Sequence, residues 1–490
     1  MSKITSVIFR MYDTGSVGDC LLLLFKKKDE ISFKMLIDCG GWQTNAEKVK
    51  PVAEDIFNTC GGKLDLLVMT HQHKDHLSGF NFARSIFDKI EVDQVWMSWM
   101  ENPKDPIAKI VKEKYGKKIK ALLKAARAAN EKYSHLTSRR YKATKTGPRL
   151  MKKANRMQDS IDLLEFQLGL DAGPAASKKA AQTNQDAVDY LKKKGKLTYW
   201  KPGEVAKGLK GAEGVKFFML GPPRDADMKL FFTQTEIEDE IYKLAASSPS
   251  VTEEVIENKP ILSTPGLALK PGHSPFADRY LLTGTERKEW QKWYDLPDNS
   301  WRQIETDGDD NFLQIALRAN AYTNNTSFAM AIEVGDKDQV ILLPGDAQSG
   351  NWMGWQKIDV MDALKAAGGK NTNELLANTI FYKVGHHNSK NGTASKHGLD
   401  KMTSPNLVAF ATLIKKAIPK EWHPEGFPAP PLYKQLIKST QGRVVRLDEG
   451  IIKDPRAKSL REQLPAAQRN AFENAYRKGA CFHEFTIGIQ

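Results

Sequence analysis

The sequence of 490 residues predicts a mixed α/β fold whose reactive groups sit on loops at the ends of strands. Three observations predict it. Short apolar, β-branched runs alternate with segments of helical spacing. One such run, 63–69, empties directly into the cluster Thr70-His-Gln-His-Lys-Asp-His76. Two later runs end on Asp346 and on the pair His386 and His387. Loops at strand ends are where such folds usually carry their chemistry.

Taken in order, residues 5–25 and 31–39 read as strands, broken by Gly15, Gly18 and a polar turn at 26–30. A helix over 46–58 follows, then the buried strand 63–69. From 101 to 195 the chain becomes Lys- and Ala-rich with helical spacing, as in 107–115 and 121–127, and is expected to form a helical insertion. Strands resume at 197–200 and 215–222, within a stretch bounded by 196 and 223. Residues 224–310 make a second, irregular insertion with an acidic helix near 236–245. Sheet is expected again over 311–452, with strands at 312–318, 327–334, 339–346, 379–388 and 407–411 and helices at 360–367 and 431–439. A strand pair at 443–446 and 482–489 completes the list. Residues 1–100 thus form the first half of the catalytic unit, 311–452 the second half, and 453–490 a C-terminal extension.

The formal charge is +14, and the stretch 101–200 carries about 24 Lys and Arg against about 10 Asp and Glu, which accounts for all of it. The four cysteines, Cys20, Cys39, Cys60 and Cys481, have no Cys-x-x-Cys spacing, so neither a disulfide framework nor a zinc knuckle is expected. The first residues lack a leader pattern and the strongest apolar run, 20–25, is far too short to span a bilayer. A reducing, cytoplasmic location without membrane contact is the expectation.

Residues two apart on an extended segment point the same way, so His71 and His73 can present imidazoles to one ion. Asp75 and His76, after the chain bends, can reach a second. Asp346, exposed by a Pro-Gly turn, can bridge the two, and either His386 or His387 could add an imidazole. Imidazole and carboxylate suit two divalent ions such as zinc or manganese, which lower the pKa of a coordinated water to about 7. The remaining imidazole, His387, and His423 are candidates for proton donor to a leaving group or for a phosphate contact.

The series Met11-Tyr-Asp-Thr-Gly-Ser-Val-Gly-Asp-Cys20, Leu36-Ile-Asp-Cys-Gly-Gly41, Leu66 to His76, Asn324-Asn-Thr-Ser327, Leu342-Leu-Pro-Gly-Asp346 and Lys383-Val-Gly-His-His-Asn-Ser389 resembles the metallo-β-lactamase superfamily. Within it the likeness is greatest to the hydrolase domain of bacterial competence proteins, the DNA-uptake channels. Leu220-Gly-Pro-Pro223, Trp422-His-Pro424 and Arg443-Val-Val-Arg446 follow that subgroup's order, and the likeness covers roughly 5–100, 196–223 and 312–452. The resemblance implies an αββα sandwich carrying the basic helical insertion and the irregular one. It implies that His71 and His73 hold one ion, that Asp75, His76 and His386 hold the other, and that Asp346 bridges them. Asp38 would support the histidines from behind, with Asn325 and Ser327 also supporting the centre. Asp75 is thus both ligand and part of the catalytic set.

The sequence departs from the family in two places. Where many members carry a further histidine before Gly-Asp, this chain reads Thr323-Asn-Asn-Thr-Ser327, as the competence-type hydrolases do; His273, in Lys270-Pro-Gly-His-Ser-Pro275, imitates the missing motif in an insertion. Asn388 stands where the subgroup usually has Gly. The implied activity is metal-dependent cleavage of phosphodiester bonds in DNA or RNA, serving a nucleic-acid processing or anti-phage defence system. Arg139, Arg140, Lys142, Lys145, Arg149, Lys152, Lys153 and Arg156, with Tyr133 and Tyr141 nearby, would contact phosphates and stack on bases. The same basic run also reads as a solvated helix face or as a site for a partner protein. Two alternatives stand beside the nuclease: a small-molecule hydrolase, such as a cyclic nucleotide phosphodiesterase or lactonase, and a non-catalytic module that binds nucleic acid or protein.

Overall fold

The computed structural model describes residues 3–134, 157–158, 161, 164–165, 183–224, 229–232, 284–294, 321–418 and 427–489. It is a mixed α/β structure with two large mixed sheets and, among the described residues, thirteen helices. The expected strand at 312–318, the acidic helix near 236–245, His273, His423 and the whole basic cluster from Arg139 to Arg156 lie outside the described residues.

The chain divides into two compact units. The larger comprises Met1–Leu123, Ile161–Tyr242 and Ile315–Gln490, and the smaller comprises Lys124–Ser160 and Lys243–Gln314. In the smaller unit Asn130 donates to Gln158 (2.9 Å), and the helix Gly284–Tyr294 carries Trp290 against Trp293, ring centroids 5.7 Å apart.

The first sheet of the larger unit is built from β1 (Ser6–Tyr12), β2 (Leu21–Lys27), β3 (Glu30–Ile37), β4 (Lys63–Val68), β5 (Glu91–Ser98), β6 (Lys196–Trp200), β15 (Tyr476–Lys478) and β16 (Phe482–Gly488), in the order β15-β16-β1-β2-β3-β4-β5-β6. The second contains β7 (Val205–Lys207), β8 (Lys216–Met219), β9 (Met330–Val334), β10 (Gln339–Leu343), β11 (Thr379–Lys383), β12 (Val408–Ala411), β13 (Val444–Arg446) and β14 (Gly450–Ile451), in the order β14-β13-β12-β11-β10-β9-β8-β7. The pairings within β3-β4-β5-β6 and within β10-β11-β12-β13 are parallel, and all the others are antiparallel.

Strand alternation assigns each residue a face. In β2, Leu21, Leu23 and Phe25 enter a core shared with Phe217 and Met219 of β8, Met330, Ile332 and Val334 of β9, and Ile341 and Leu343 of β10. The intervening Leu22 and Leu24 face the other way, onto Val49, Val52 and Ile56 of α1 (Ala46–Cys60). On the second sheet Phe218, Ala331, Val340 and Leu342 likewise turn outward to Trp352, Trp355 and Leu364. Two sheets therefore pack face to face with helices on both outer sides. Phe9 of β1 joins them, its ring 4.6 Å from Phe381 and 5.6 Å from Phe410 of the opposite sheet.

Several sequence expectations change in detail. The stretch 5–25 is two strands, β1 and β2, folded back on each other across the loop that holds Gly15 and Gly18. Strand β5 escaped notice because its first half, Glu91 to Gln94, is charged and half-exposed. The runs 107–115 and 121–127 are one helix, α4 (Pro106–Ser134), which follows α2 (Lys74–Phe82) and α3 (Arg84–Phe87). The segments 443–446 and 482–489 are not partners: β13 pairs with β12 in the second sheet, and β16 pairs with β1 in the first. The C-terminal segment thereby becomes part of the sheet. Arg10 fastens it, donating to Glu484 (2.7 Å) and to Asp55 of α1 (2.6 Å), with its guanidinium 3.9 Å from the centre of the Phe482 ring.

Truncating Phe9 to Ala removes the ring that both sheets share. Denaturant unfolding should register a loss of about 3–5 kcal/mol, and a loss under about 1 kcal/mol would contradict a single core between the sheets.

Candidate metal centre

β4 ends at Val68, and the chain turns through Thr70 into α2 (Lys74–Phe82), whose first turn carries Asp75 and His76. The turn is tied from below by Asp38, at the end of β3. One oxygen of Asp38 accepts from the Thr70 amide (2.8 Å), and the other accepts from the Thr70 hydroxyl and pairs with His76 Nδ1 (2.7 Å). That pairing leaves His76 Nε2 facing inward, which is how a carboxylate behind a ligating imidazole fixes its orientation. Gly40 is required here because a Cβ would lie 2.5 Å from the Asp75 carbonyl carbon.

The second sheet supplies the opposite wall. Asp346 follows β10 through Gly345, whose left-handed φ of 60° turns the carboxylate inward. Ser327 Oγ accepts from the Asp346 amide (3.2 Å). Asn325 Oδ1 accepts from the amides of Gln348 (3.2 Å) and Asn351 (2.9 Å). Asn325 and Ser327 thus hold the loop of Asp346 by its backbone. Phe328 N donates to Thr70 O (2.9 Å), which joins the ends of the two sheets at the centre.

Four side chains converge from these loops: ligand atoms of Asp75, His76, Asp346 and His387 all lie within 4.8 Å of one another, and all four residues are buried. Asp346 Oδ2 is 3.2 Å from His76 Nε2 and 3.1 Å from His387 Nε2, and Asp75 Oδ2 is 3.3 Å from the latter. His387 Nδ1 is held at Thr412 by its carbonyl (3.0 Å) and hydroxyl (2.9 Å). Neither Nε2 of His76 and His387 nor Oδ1 of Asp75 makes a hydrogen bond. Two imidazole nitrogens and two carboxylates, buried and convergent, fit a divalent ion such as zinc or manganese.

The tandem histidines sort differently from the expectation. His387, not His386, joins the four-residue cluster that could hold an ion. Residues 386, 387 and 388 are all left-handed, with φ of 44°, 48° and 70°, a region non-glycine residues rarely occupy. The extra turn carries His386 sideways to carboxamides: its Nε2 lies 3.1 Å from Asn324 Nδ2 and its Nδ1 3.2 Å from Gln348 Nε2. Asn388 tolerates this conformation better than most residues would.

His71 and His73 form the other half of the expected pair. Nε2 of His71 and Nδ1 of His73 point at each other across 3.0 Å, and no third His, Cys, Asp or Glu among the described residues completes a set with both of them. Between them, Gln72 donates to Glu101 (2.6 Å) and accepts at its carbonyl from Asn184 (2.6 Å).

Sequence reasoning missed Asp19 and Lys383. Lys383 Nζ lies 2.5 Å from Asp19 Oδ2 and 3.5 Å from Asp346 Oδ1, with all three side chains buried. Both residues sit in motifs quoted above, but nothing local in sequence pairs them.

Four buried carboxylates, those of Asp19, Asp38, Asp75 and Asp346, dominate the field. Burial opposes charge on the imidazoles, yet Asp346 and Asp75 outweigh it. His387 is pushed up to about 9 and His76 well above the ordinary value. Burial also opposes ionisation of Asp346, but His387, His76 and Lys383 hold it well below the usual carboxylate range. Away from the carboxylates the sign reverses: burial and His76 push His71 well down, and burial brings His73 to about 4.

No protein-family model matches the chain, and no curated protein matches it. None of its described helices is long and apolar enough to cross a membrane, and its four cysteines are free thiols.

Two outcomes follow. Manganese titration followed by elemental analysis should show that His387→Asn weakens binding at the four-residue cluster by more than about a hundredfold, beyond what removal of a supporting partner costs, whereas His386→Asn retains that ion; the reverse pattern would restore the tandem to its expected order. An ion must also displace protons from His387 and His76, so affinity should rise as the pH climbs from 6.5 toward 9. Calorimetry at pH 7.5 in buffers of different ionisation enthalpy should register proton release, and heats independent of buffer would contradict it.

Proposed function

We propose that this chain is a metal-dependent hydrolase of the metallo-β-lactamase fold, akin to the competence-type hydrolases, and that it cleaves phosphodiester bonds in DNA or RNA. The observation that carries this reading is the convergence of Asp75, His76, Asp346 and His387 from loops of two facing sheets onto one buried point. The sandwich of two sheets between helices and the cluster at their shared edge are what such a fold requires.

Asp75, His76, Asp346 and His387 would hold the tighter ion, and His71 with His73 a weaker one beside it. The two ions would supply Lewis acidity to phosphoryl oxygens and a water acidified to about pKa 7. The chain's own residues do the rest. Asp38 and Thr412 fix the His76 and His387 rings, Ser327 and Asn325 fix the loop of Asp346, and His71 and His73 stay neutral, with lone pairs available at pH 7.

A phosphodiester is favoured over a neutral ester or lactam by charge. The stretch 101–200 is strongly basic, which raises the local concentration of a polyanion. Its Arg139 to Arg156 cluster is the proposed nucleic-acid contact. The start and end of that stretch both reach the histidine loop: Lys112 of α4 pairs with Glu101 (2.7 Å), the acceptor of Gln72, and Asn184 holds the Gln72 carbonyl.

The purified chain should degrade single- or double-stranded DNA or RNA with manganese or zinc, and Asp75→Ala and Asp346→Ala should abolish this. Turnover of a small chromogenic phosphodiester or a lactone, with every polynucleotide intact, would replace the nuclease by a small-molecule hydrolase. Polynucleotide binding without any turnover would leave a binding module.

A further inference from the structure

We propose that Lys383 is a positioning residue of the metal centre: its ammonium, anchored by Asp19, occupies one oxygen of Asp346 so that this carboxylate offers only Oδ2 to the ions. The inference rests on the metal-dependent reading above and goes beyond it, because neither Lys383 nor Asp19 belongs to the ligand set.

The geometry divides Asp346 between two neighbourhoods. Oδ2 faces the imidazoles, at 3.2 Å from His76 Nε2 and 3.1 Å from His387 Nε2. Oδ1 faces Lys383 Nζ at 3.5 Å. The ammonium also donates to the Gly345 carbonyl (3.1 Å), the residue whose left-handed turn aims Asp346. Lys383 is the last residue of β11 and is fully buried, so it can act only on its immediate neighbours.

Asp19 makes the arrangement stiff. Its amide donates to the Asp75 carbonyl (3.1 Å) and its carbonyl accepts from Gly40 (3.0 Å), which fastens it to the backbone of the histidine loop. Its carboxylate makes no ordinary hydrogen bond and is buried; its closest cation is Lys383 at 2.5 Å, with His387 Nδ1 at 3.7 Å. Lys383 therefore spans from the first sheet's loop to the second sheet's ligand. Asp19, Asp38 and His76 bring ligand atoms within 4.8 Å of one another, and the ammonium beside Asp19 supplies the positive charge that such an acidic group requires.

A carboxylate with both oxygens open can rotate and chelate a single ion. With Oδ1 turned toward Lys383, Asp346 would meet a bound ion through Oδ2, the oxygen that faces His76 and His387. A purely structural ion pair could be replaced by a neutral pair of similar size without loss of function; a positioning pair could not.

The test compares the wild-type chain, Lys383→Met and the double variant Asp19→Asn/Lys383→Met, all loaded with manganese. The single variant should melt earlier, since Asp19 stays buried without its ammonium. The double variant should regain the wild-type melting temperature and manganese stoichiometry, while the electron paramagnetic resonance spectrum of the bound manganese changes. Its kcat on a chromogenic phosphodiester should fall roughly tenfold to a hundredfold, with KM within about twofold. A double variant with wild-type spectrum and turnover overturns the role of Lys383 alone. A wild-type chain that binds no manganese overturns the metal reading and this inference together.

Discussion

Like charges held together away from bulk solvent are the constraint on which the rest of this structure depends. Asp19, Asp38, Asp75 and Asp346 are each no more than 7% exposed and share the ends of two sheets. Carboxylates so placed repel one another and resist desolvation, and they persist only where positive charge is supplied. Lys383 supplies one charge permanently. Protons on His76 and His387 supply the others in the absence of an ion, which is why both rings are pushed up despite burial. A metal ion at that point, which Asp75, His76, Asp346 and His387 could hold, would satisfy the same field.

The fold serves that constraint by rigidity. Each participating side chain sits in a loop, or in the first turn of α2, next to a strand whose register is fixed by its paired neighbours. The loops are then fastened by backbone contacts: Phe328 to Thr70 across the sheets, Gly40 to Asp19, and Asp19 to Asp75. Backbone strain is concentrated where the tandem histidines turn, at three consecutive left-handed residues. Strain of this kind survives only where surrounding contacts over-determine it, and here Thr412 grips one ring while Asn324 and Gln348 grip the other.

Much of this was legible in the sequence, because alternation of apolar residues assigns strand faces and His-x-His-x-Asp-His is a compact signal. The helix α1, strands β4 and β10, and the clustering of Asp75, His76 and Asp346, with Asp38 paired to His76, all emerge at or near their expected positions. The choice between His386 and His387 was not legible, since it turns on backbone dihedrals that adjacent identical residues do not reveal. Asp19 and Lys383 were hidden because their pairing joins opposite halves of the chain. The pairing of β16 with β1 was hidden for the same reason; a short C-terminal strand carries no mark of the sheet it joins.

The most direct test of the central claim is anomalous diffraction at the manganese edge from crystals of the full chain grown with that ion. The account predicts a peak enclosed by His76 Nε2, His387 Nε2, the Asp75 carboxylate and Asp346 Oδ2. Density without an anomalous peak at that point, with the two imidazoles hydrogen-bonded directly to the carboxylates, would contradict it.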